Sequence, residues 1–187
     1  MIAKRSALIV MGVLATAAAS RQEFAFEPYQ ADLAAGATLS NASADFDGDG
    51  DLDLFVGFNG APNRLFRNDK GNLKDVAADV GMADGRATRA AAWGDFDADG
   101  DPDLLVGFAA GAGPVLRLYR NHQARFEDVT ARSGLTVGTG AVRQPAWIDF
   151  DGDDDLDLFV AFRDRVNALY RNDAGAFIEI ASSLGLA

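Results

Sequence analysis

Cysteine is absent from the 187-residue chain, which also contains a single histidine, His122, and only two tryptophans. Without cysteine the protein forms no disulfide bond and carries no lipid-modified cysteine anchor, so packing and bound metal are the means left to stabilise it. Nucleophilic catalysis needs a nucleophile, a base and an orienting group, and this composition offers few. No GxSxG, GxxxxGK[ST] or HExxH motif is present. We therefore expect no enzymatic activity, and we interpret His122 as an exposed turn residue.

The acidic residues are concentrated in a small part of the chain. The sequence has 28 acidic and 17 basic residues and a net charge of −11. Sixteen of the acids lie in three short stretches, so the remainder has 12 acids against the same 17 bases. No basic run or stripe stands out, which argues against a nucleic-acid partner. A glycosidase-like pair of carboxylates among the 12 stays open as an alternative, although no pair stands out by its spacing.

The N-terminus has the pattern of an export signal. Lys4 and Arg5 precede thirteen apolar or small residues, Ala7–Ala19, which end in an Ala-x-Ala pattern. As a helix these residues would span about 20 Å, short of the roughly 30 Å hydrocarbon core of a bilayer, which disfavours the alternative of a membrane anchor. We predict a signal peptide at residues 1–19, a secreted or periplasmic protein, and no membrane span after cleavage. A segment at 20–36 follows, with a strand-like stretch, EFAFEPYQA, at 23–31.

An acidic stretch and the phrase that follows it occur three times. The copies are DFDGDGDLDLFVGF at 45–58, DFDADGDPDLLVGF at 95–108 and DFDGDDDLDLFVAF at 149–162. The second phrase is LFRNDKGNLKDVAADVGM at 65–82, with counterparts at 118–135 and 169–186. Successive copies are 50 and then 54 residues apart, a period typical of propeller blades or solenoid units. The organisation predicted is repeat 1 at 37–82, repeat 2 at 83–135 and repeat 3 at 136–187.

Each repeat contains several short strand-like segments. Segments such as LDLFVGF, NRLFRN and NLKDVA are rich in β-branched and aromatic residues and are separated by Gly, Asn, Asp or Pro. A weaker strand precedes each acidic stretch, in GATLSNASA, ATRAAAWG and AVRQPAWI. Helical periodicity is lacking after the signal peptide, apart from a short turn in DVAADVG and its counterparts. We predict an all-β protein with three propeller blades of four antiparallel strands, a partial propeller.

Aspartates at alternate positions of the acidic stretches predict calcium sites. Calcium takes six to eight oxygen ligands in irregular geometry, and positions one, three and five of such a loop point inward. Glycine at position six permits the turn, the carbonyl of position seven turns in, and position nine closes the site. Without a cation the carboxylates would repel by about 1 kcal/mol per pair even in water. About three Ca²⁺ sites are predicted, formed by Asp45, Asp47, Asp49, Asp51, Asp53, Asp95, Asp97, Asp99, Asp101, Asp103, Asp149, Asp151, Asp153, Asp155 and Asp157.

Two alternatives to this interpretation are weaker. Solvated acidic turns would explain the charge but not spacing that is kept three times. An EF-hand needs a bidentate carboxylate at position twelve and flanking helices, whereas position twelve here is Val56, Val106 or Val160. The third loop departs from the others because Asp154 replaces the position-six glycine; aspartate enters the left-handed region at modest cost, so we expect the turn to survive.

The sequence from about residue 37 to 187 resembles the FG-GAP and VCBS-type repeats of calcium-binding β-propellers, a family that includes the head of integrin α-chains and many secreted bacterial proteins. The phrases that carry the resemblance are DFDGDGDLDLFVG, LFRND and the F-x-D-V-[TA] pattern. It implies blades around a central axis, with a calcium loop between the first and second strands of each. It implies no chemistry by itself, since the fold serves adhesion, glycan binding and accessory roles in some polysaccharide lyases.

Arginine and tryptophan recur at equivalent positions of the repeats. Arg67, Arg120 and Arg171 recur at one position, and Trp93 and Trp147 at another. We favour repeat packing for both sets over a ring that binds a glycan or an acidic partner.

Propellers usually have at least four blades, so we expect the two end blades to expose apolar faces, and we expect self-association or missing blades from a longer chain. The predicted function is recognition or adhesion, with a protein or glycan ligand; an accessory module or fragment of a larger secreted polysaccharide-active enzyme is the alternative.

Overall fold

A computed structural model describes residues 36–135 and 138–186, and all its regular elements are β-strands. They are β1 (Thr38–Ala44), β2 (Asp53–Phe58), β3 (Arg64–Asp69), β4 (Asn72–Asp75), β5 (Thr88–Gly94), β6 (Asp103–Phe108), β7 (Leu116–His122), β8 (Arg125–Asp128), β9 (Val142–Ile148), β10 (Asp157–Phe162), β11 (Ala168–Asp173) and β12 (Ala176–Glu179). Within these ranges no helix is long and apolar enough to cross a bilayer. The predicted signal peptide and the predicted strand at 23–31 lie outside the described residues.

The strands form three antiparallel sheets of four strands, each in sequence order: β1–β4, β5–β8 and β9–β12. We call these sheets blade 1, blade 2 and blade 3. The all-β prediction is confirmed, including the alanine-rich first strands, which pair along their length with the second strand. The first strands of successive blades lie beside one another. The sheets therefore pack face to face, as blades of a partial propeller do.

The second strands are the most buried because each carries apolar side chains on both faces. In β6 the side chains alternate between the two neighbouring blades, as a strand's period of two requires. Leu104 belongs to the core shared with blade 1, together with Phe55 and Leu65. Leu105 belongs to the core shared with blade 3, together with Leu158. The continuous apolar runs after the acidic stretches are thus strands buried between blades.

The two tryptophans fill the joints between blades. Trp93 of blade 2 stacks on Phe46 of blade 1, with ring centroids 6.3 Å apart and an interplanar angle of 7°. Trp147 of blade 3 packs over Gly94 of blade 2, where a Cβ would lie 2.6 Å from the indole Cδ1. The interpretation of the tryptophans as packing residues is confirmed.

A repeated asparagine also links each blade to the one before it. The Nδ2 group of Asn121 in blade 2 donates a 2.8 Å hydrogen bond to the carbonyl of Phe46 in blade 1. The Nδ2 group of Asn172 in blade 3 donates a 2.7 Å bond to the carbonyl of Phe96 in blade 2. The equivalent Asn68 of blade 1 donates to Leu52 within its own blade. Each joint between blades therefore has one buried side-chain to backbone hydrogen bond.

The outward faces of the two end blades differ. On blade 1, Val56, Phe58 and Phe66 are only 5%, 1% and 5% exposed, so the expectation of an exposed apolar face is wrong for this blade. On blade 3, Ile148 is 46% exposed and Phe159 is half-buried. The residues equivalent to Phe159 in the other two blades are fully buried. The expectation is confirmed for blade 3.

Candidate metal centre in the acidic loops

Each acidic loop connects the first strand of a blade to the second. Acidic loop 1 is 45–53, acidic loop 2 is 95–103 and acidic loop 3 is 149–157, and position nine of each loop is the first residue of β2, β6 or β10. The position of the loop, between the first and second strands of each blade, is the one that the family resemblance implied. A loop between paired neighbouring strands presents its aspartates at one end of the blade.

Position nine fastens each loop to the third strand. Asp53 is fully buried; its Oδ2 accepts from the Phe46 N–H at 2.9 Å and its Oδ1 from the Asn68 N–H at 2.8 Å. Both bonds recur in the other loops, through Asp103 with Phe96 and Asn121, and through Asp157 with Phe150 and Asn172. Sequence reasoning gave position nine only a metal-binding role and missed this structural one.

Burial raises the pKa of two of these carboxyl groups. For Asp103 the pKa rises to about 7, because burial outweighs the stabilising N–H bonds from Asn121 and Phe96. The pKa of Asp53 is raised for the same reason. A nearby cation would favour the ionised form and oppose this effect.

Position one organises the loop backbone. Asp45 accepts hydrogen bonds from the N–H groups of Gly48, Asp49 and Gly50, at 2.8, 3.1 and 2.8 Å. Asp95 and Asp149 make two such bonds each in their own loops. At position five, Asp49, Asp99 and Asp153 accept the N–H of position seven. These bonds hold the loop backbone curled around its own carboxylates.

Position seven directs its carboxylate away from the loop, towards the turn between the third and fourth strands. The Oδ2 of Asp51 accepts from the Lys70 N–H at 2.7 Å. Asp101 and Asp155 make the corresponding bonds to Gln123 and Ala174. One carboxylate oxygen of position seven is therefore used to hold this turn against the loop.

Position three provides carboxylate oxygens that lack a partner. The Oδ1 atoms of Asp47 and Asp97 are buried and have no hydrogen-bond partner. Burial, followed by the charge of the position-five aspartate, raises the pKa of both carboxyl groups. A buried acceptor without a donor is costly, and a cation would satisfy it.

Position three also has an ion pair that sequence reasoning missed. The Asp97 Oδ2 lies 2.7 Å from the Arg120 Nε, and the Asp47 Oδ2 lies 3.9 Å from the Arg67 Nε. These arginines were interpreted as blade packing or a ligand-binding ring, and neither describes this pairing. In the part of the chain that the structure describes, Arg171 makes no ion pair. The signal available was the recurrence of Arg-Asn in every repeat.

The structure gathers one group of three carboxylates in each loop. Within each group, one oxygen from every aspartate lies within 4.8 Å of the others. The groups are Asp45, Asp47 and Asp53; Asp95, Asp97 and Asp99; and Asp149, Asp151 and Asp157. Asp49, Asp51, Asp103, Asp153 and Asp155 lie outside these groups, and Asp101 groups instead with Asp99 and His122. Three carboxylates at this spacing suit a cation whose oxygen ligands lie at about 2.3–2.6 Å.

Two non-glycine residues of the acidic loops adopt the left-handed conformation, at positions where glycine would be favoured. Asp154 has φ +72°, against +92° for Gly50 and Gly100, so the prediction that the third turn survives is confirmed. Sequence reasoning did not identify Ala98, which has φ +56° at position four, where the other loops have glycine. Non-glycine residues pay about 1–2 kcal/mol in this region.

His122 is exposed, as predicted, but it ends strand β7 beside acidic loop 2. Its side chain is 63% exposed, and its Nδ1 lies 3.4 Å from the Asp99 Oδ2 and 3.8 Å from the Asp101 Oδ2.

Comparison with known proteins identifies the repeat. Residues 45–106 match the family model described as FG-GAP-like repeat, from the start of acidic loop 1 into β6. No curated protein matches the chain significantly. Blade 3 has the same strand order and loop position as the matched part.

Proposed function

Starting from the FG-GAP-type repeats that this chain carries, we propose that it is an exported, calcium-binding recognition module that acts in adhesion without catalysis. Repeats of this type are typical of extracellular proteins and are typically non-catalytic modules. A secreted or periplasmic location agrees with the predicted signal peptide at residues 1–19. The ligand proposed is a protein or a glycan.

The partnerless Oδ1 atoms of Asp47 and Asp97 are the observation that carries the calcium proposal. The buried carboxylates of Asp53 and Asp103 accept N–H groups with both oxygens, whereas Asp47 and Asp97 each belong to a group of three carboxylates with one oxygen of each within 4.8 Å of the others. Like charges held this close to a buried edge destabilise the loop, and a divalent cation reverses the sign of their interaction. Hard oxygen donors alone, without sulfur or imidazole in the groups of three, favour calcium over transition metals.

The chain's own residues prepare the loop for the cation. Position one curls the backbone, position nine fixes the loop to the third strand, and position three offers the free oxygen. When bound, the ion would supply positive charge that neutralises the loop. The proposed role is structural: a neutralised loop keeps one end of each blade fixed and leaves the surrounding surface free for recognition.

A second candidate function is an accessory module or fragment of a larger secreted polysaccharide-active enzyme. The partly exposed apolar face of blade 3 favours it, because the equivalent faces of blades 1 and 2 are covered by the next blade. In either case we propose that this face takes up a second copy of the chain or further blades.

Calcium titration into chelator-treated protein, followed by thermal melting, tests the calcium proposal. A site bound at 100 times its dissociation constant adds about 2.7 kcal/mol, so the melting temperature should rise with calcium. A melting temperature that stays unchanged up to about 10 mM calcium, above the weak affinities of extracellular modules, would contradict the proposal.

Two matched variants test whether the calcium-dependent stabilisation depends on the acidic loop or on any exposed aspartate. Asp47→Asn removes the negative charge of the carboxylate whose Oδ1 has no partner. Asp173→Asn removes the charge of an exposed aspartate at the end of β11. The first should lose part of the calcium-dependent stabilisation, up to about 2.7 kcal/mol for one site, and the second should keep it. Equal loss in both variants would count against the assignment of the site.

A further inference from the structure

Three arginines line one open cavity at the joint between blades 2 and 3. The cavity has a volume of about 370 Å³ and is lined by Arg89, Arg143 and Arg163, above the fully buried Val142. Arg89 and Arg143 are the second residues of the adjacent first strands β5 and β9, so the repeat itself brings them together. Arg163 follows β10, and its N–H donates to the carbonyl of Ala141, which holds it at the same end of blade 3.

This cavity contains no counter-charge from the described residues. Its lining has no acidic side chain, although the chain as a whole has a net charge of −11. Asp164 is adjacent in sequence, but its Oδ1 accepts from the Ala141 N–H. Elsewhere in the described chain, arginines such as Arg86, Arg117 and Arg132 each pair with a carboxylate. The three arginines of this cavity therefore differ from Arg86, Arg117 and Arg132, because no described carboxylate neutralises them.

One of the three also has an unsatisfied donor. The Nε of Arg89 is buried, and no described atom accepts a hydrogen bond from it. A buried charged donor without an acceptor is costly unless a ligand supplies the acceptor. The guanidinium fork is suited to planar or tetrahedral oxyanions, which it binds with parallel hydrogen bonds.

The cavity lies far from the acidic loops. Arg89 is the second residue of β5, and acidic loop 2 follows the end of that strand at Gly94, roughly 17 Å away at about 3.3 Å per residue. Calcium bound in the loops would therefore not occupy this cavity or bridge an anion in it.

We propose that Arg89, Arg143 and Arg163 form a binding site for the acidic groups of a uronate-bearing or sulfate-bearing saccharide. The volume falls at the lower end of the range of about 300–1,000 Å³ for small-ligand pockets, which suits one or two sugar rings better than an extended acidic peptide. The inference rests on the proposed recognition function, for which it names the ligand class.

Calorimetric titration of the full chain tests the site. The probes are trigalacturonate, the neutral trisaccharide maltotriose, inorganic sulfate and hexaglutamate. Trigalacturonate should bind and maltotriose should not. Arg143→Ala and Arg163→Ala should each weaken binding about tenfold, the value of one charge-assisted contact. Arg125→Ala, which removes an exposed arginine on β8, should change binding by less than about twofold.

Several results would overturn the proposal. These are no binding of trigalacturonate, equal binding of maltotriose, and equal losses in Arg125→Ala and Arg143→Ala. Sulfate or hexaglutamate that binds as tightly as trigalacturonate would also overturn it, because the site would then attract anions without recognising a saccharide. The calcium-dependent rise in melting temperature is measured on every variant. Its absence would contradict the proposed function, whereas its presence with no saccharide binding would overturn this inference alone.

Discussion

Replacing Asn172 with alanine should cost more stability than the same change at Asn68. The two side chains make the same contacts within their own blades: the Oδ1 accepts from Gly175 or Gly71, and the Nδ2 donates to the carbonyl of Leu156 or Leu52. Asn172 alone adds the 2.7 Å bond to the carbonyl of Phe96 in the preceding blade. The difference between the two variants therefore reports the hydrogen bond between blades.

The expected difference in stability between the two variants follows from how deeply the two asparagine side chains are buried. Asn172 is 1% exposed, so its removal leaves the Phe96 carbonyl buried and without a donor. Such an acceptor costs about 1–3 kcal/mol. Asn68 is half-buried, and water can replace its side chain more easily. We expect Asn172→Ala to be less stable than Asn68→Ala by about 1–3 kcal/mol, or about 2–4 °C in melting temperature for each kcal/mol.

Urea unfolding in saturating calcium, followed by the fluorescence of Trp93 and Trp147, measures both free energies. Both tryptophans lie at joints between blades, so the signal reports loss of the interface. Equal free energies of unfolding for the two variants would refute the reasoning, since the bond between blades would then contribute nothing.

Three further predictions concern acidic loop 2 and the outward face of blade 3. Ala98→Gly should raise the free energy of unfolding by about 1 kcal/mol, because it relieves a left-handed alanine, while Ala110→Gly in an exposed loop should not; urea unfolding of both variants checks this. In chelator, the contribution of Asp103 to stability should be complete below about pH 4 and lost as the pH rises through about 7, because its pKa is higher in the folded than in the unfolded state; unfolding of the wild type and of Asp103→Asn across that range should differ accordingly. Ile148→Glu should weaken self-association in sedimentation experiments, whereas Val166→Glu, in the exposed connection between β10 and β11, should leave it unchanged.

Local patterns were sufficient to predict the strands and loops. The short runs of apolar, β-branched and aromatic residues in β2, β6 and β10 and the aspartates before them depend on neighbours in sequence, which is why both were predictable. Asp154 was predicted correctly for the same reason, because a backbone conformation is a property of one residue.

Contacts between segments were harder to predict. The pairing of Arg120 with Asp97 joins residues far apart in sequence and depends on how the third strand lies beside the loop. The role of Asp53 in fastening its loop needed the position of the Asn68 N–H, which only the register of β2 and β3 supplies. The burial of Phe58 on blade 1 depends on tertiary packing, which the repeat pattern does not encode.

Phe46 belongs both to acidic loop 1 and to the joint with blade 2. Its N–H binds Asp53, its carbonyl accepts from Asn121, and its ring stacks on Trp93. A force that pulls the two blades apart would therefore act on acidic loop 1 itself. A loop made rigid by a bound cation would pass this force on to the buried start of β2. In an adhesive protein under tension, the cation would then set the force at which neighbouring blades separate, so that single-molecule rupture forces would rise with calcium concentration.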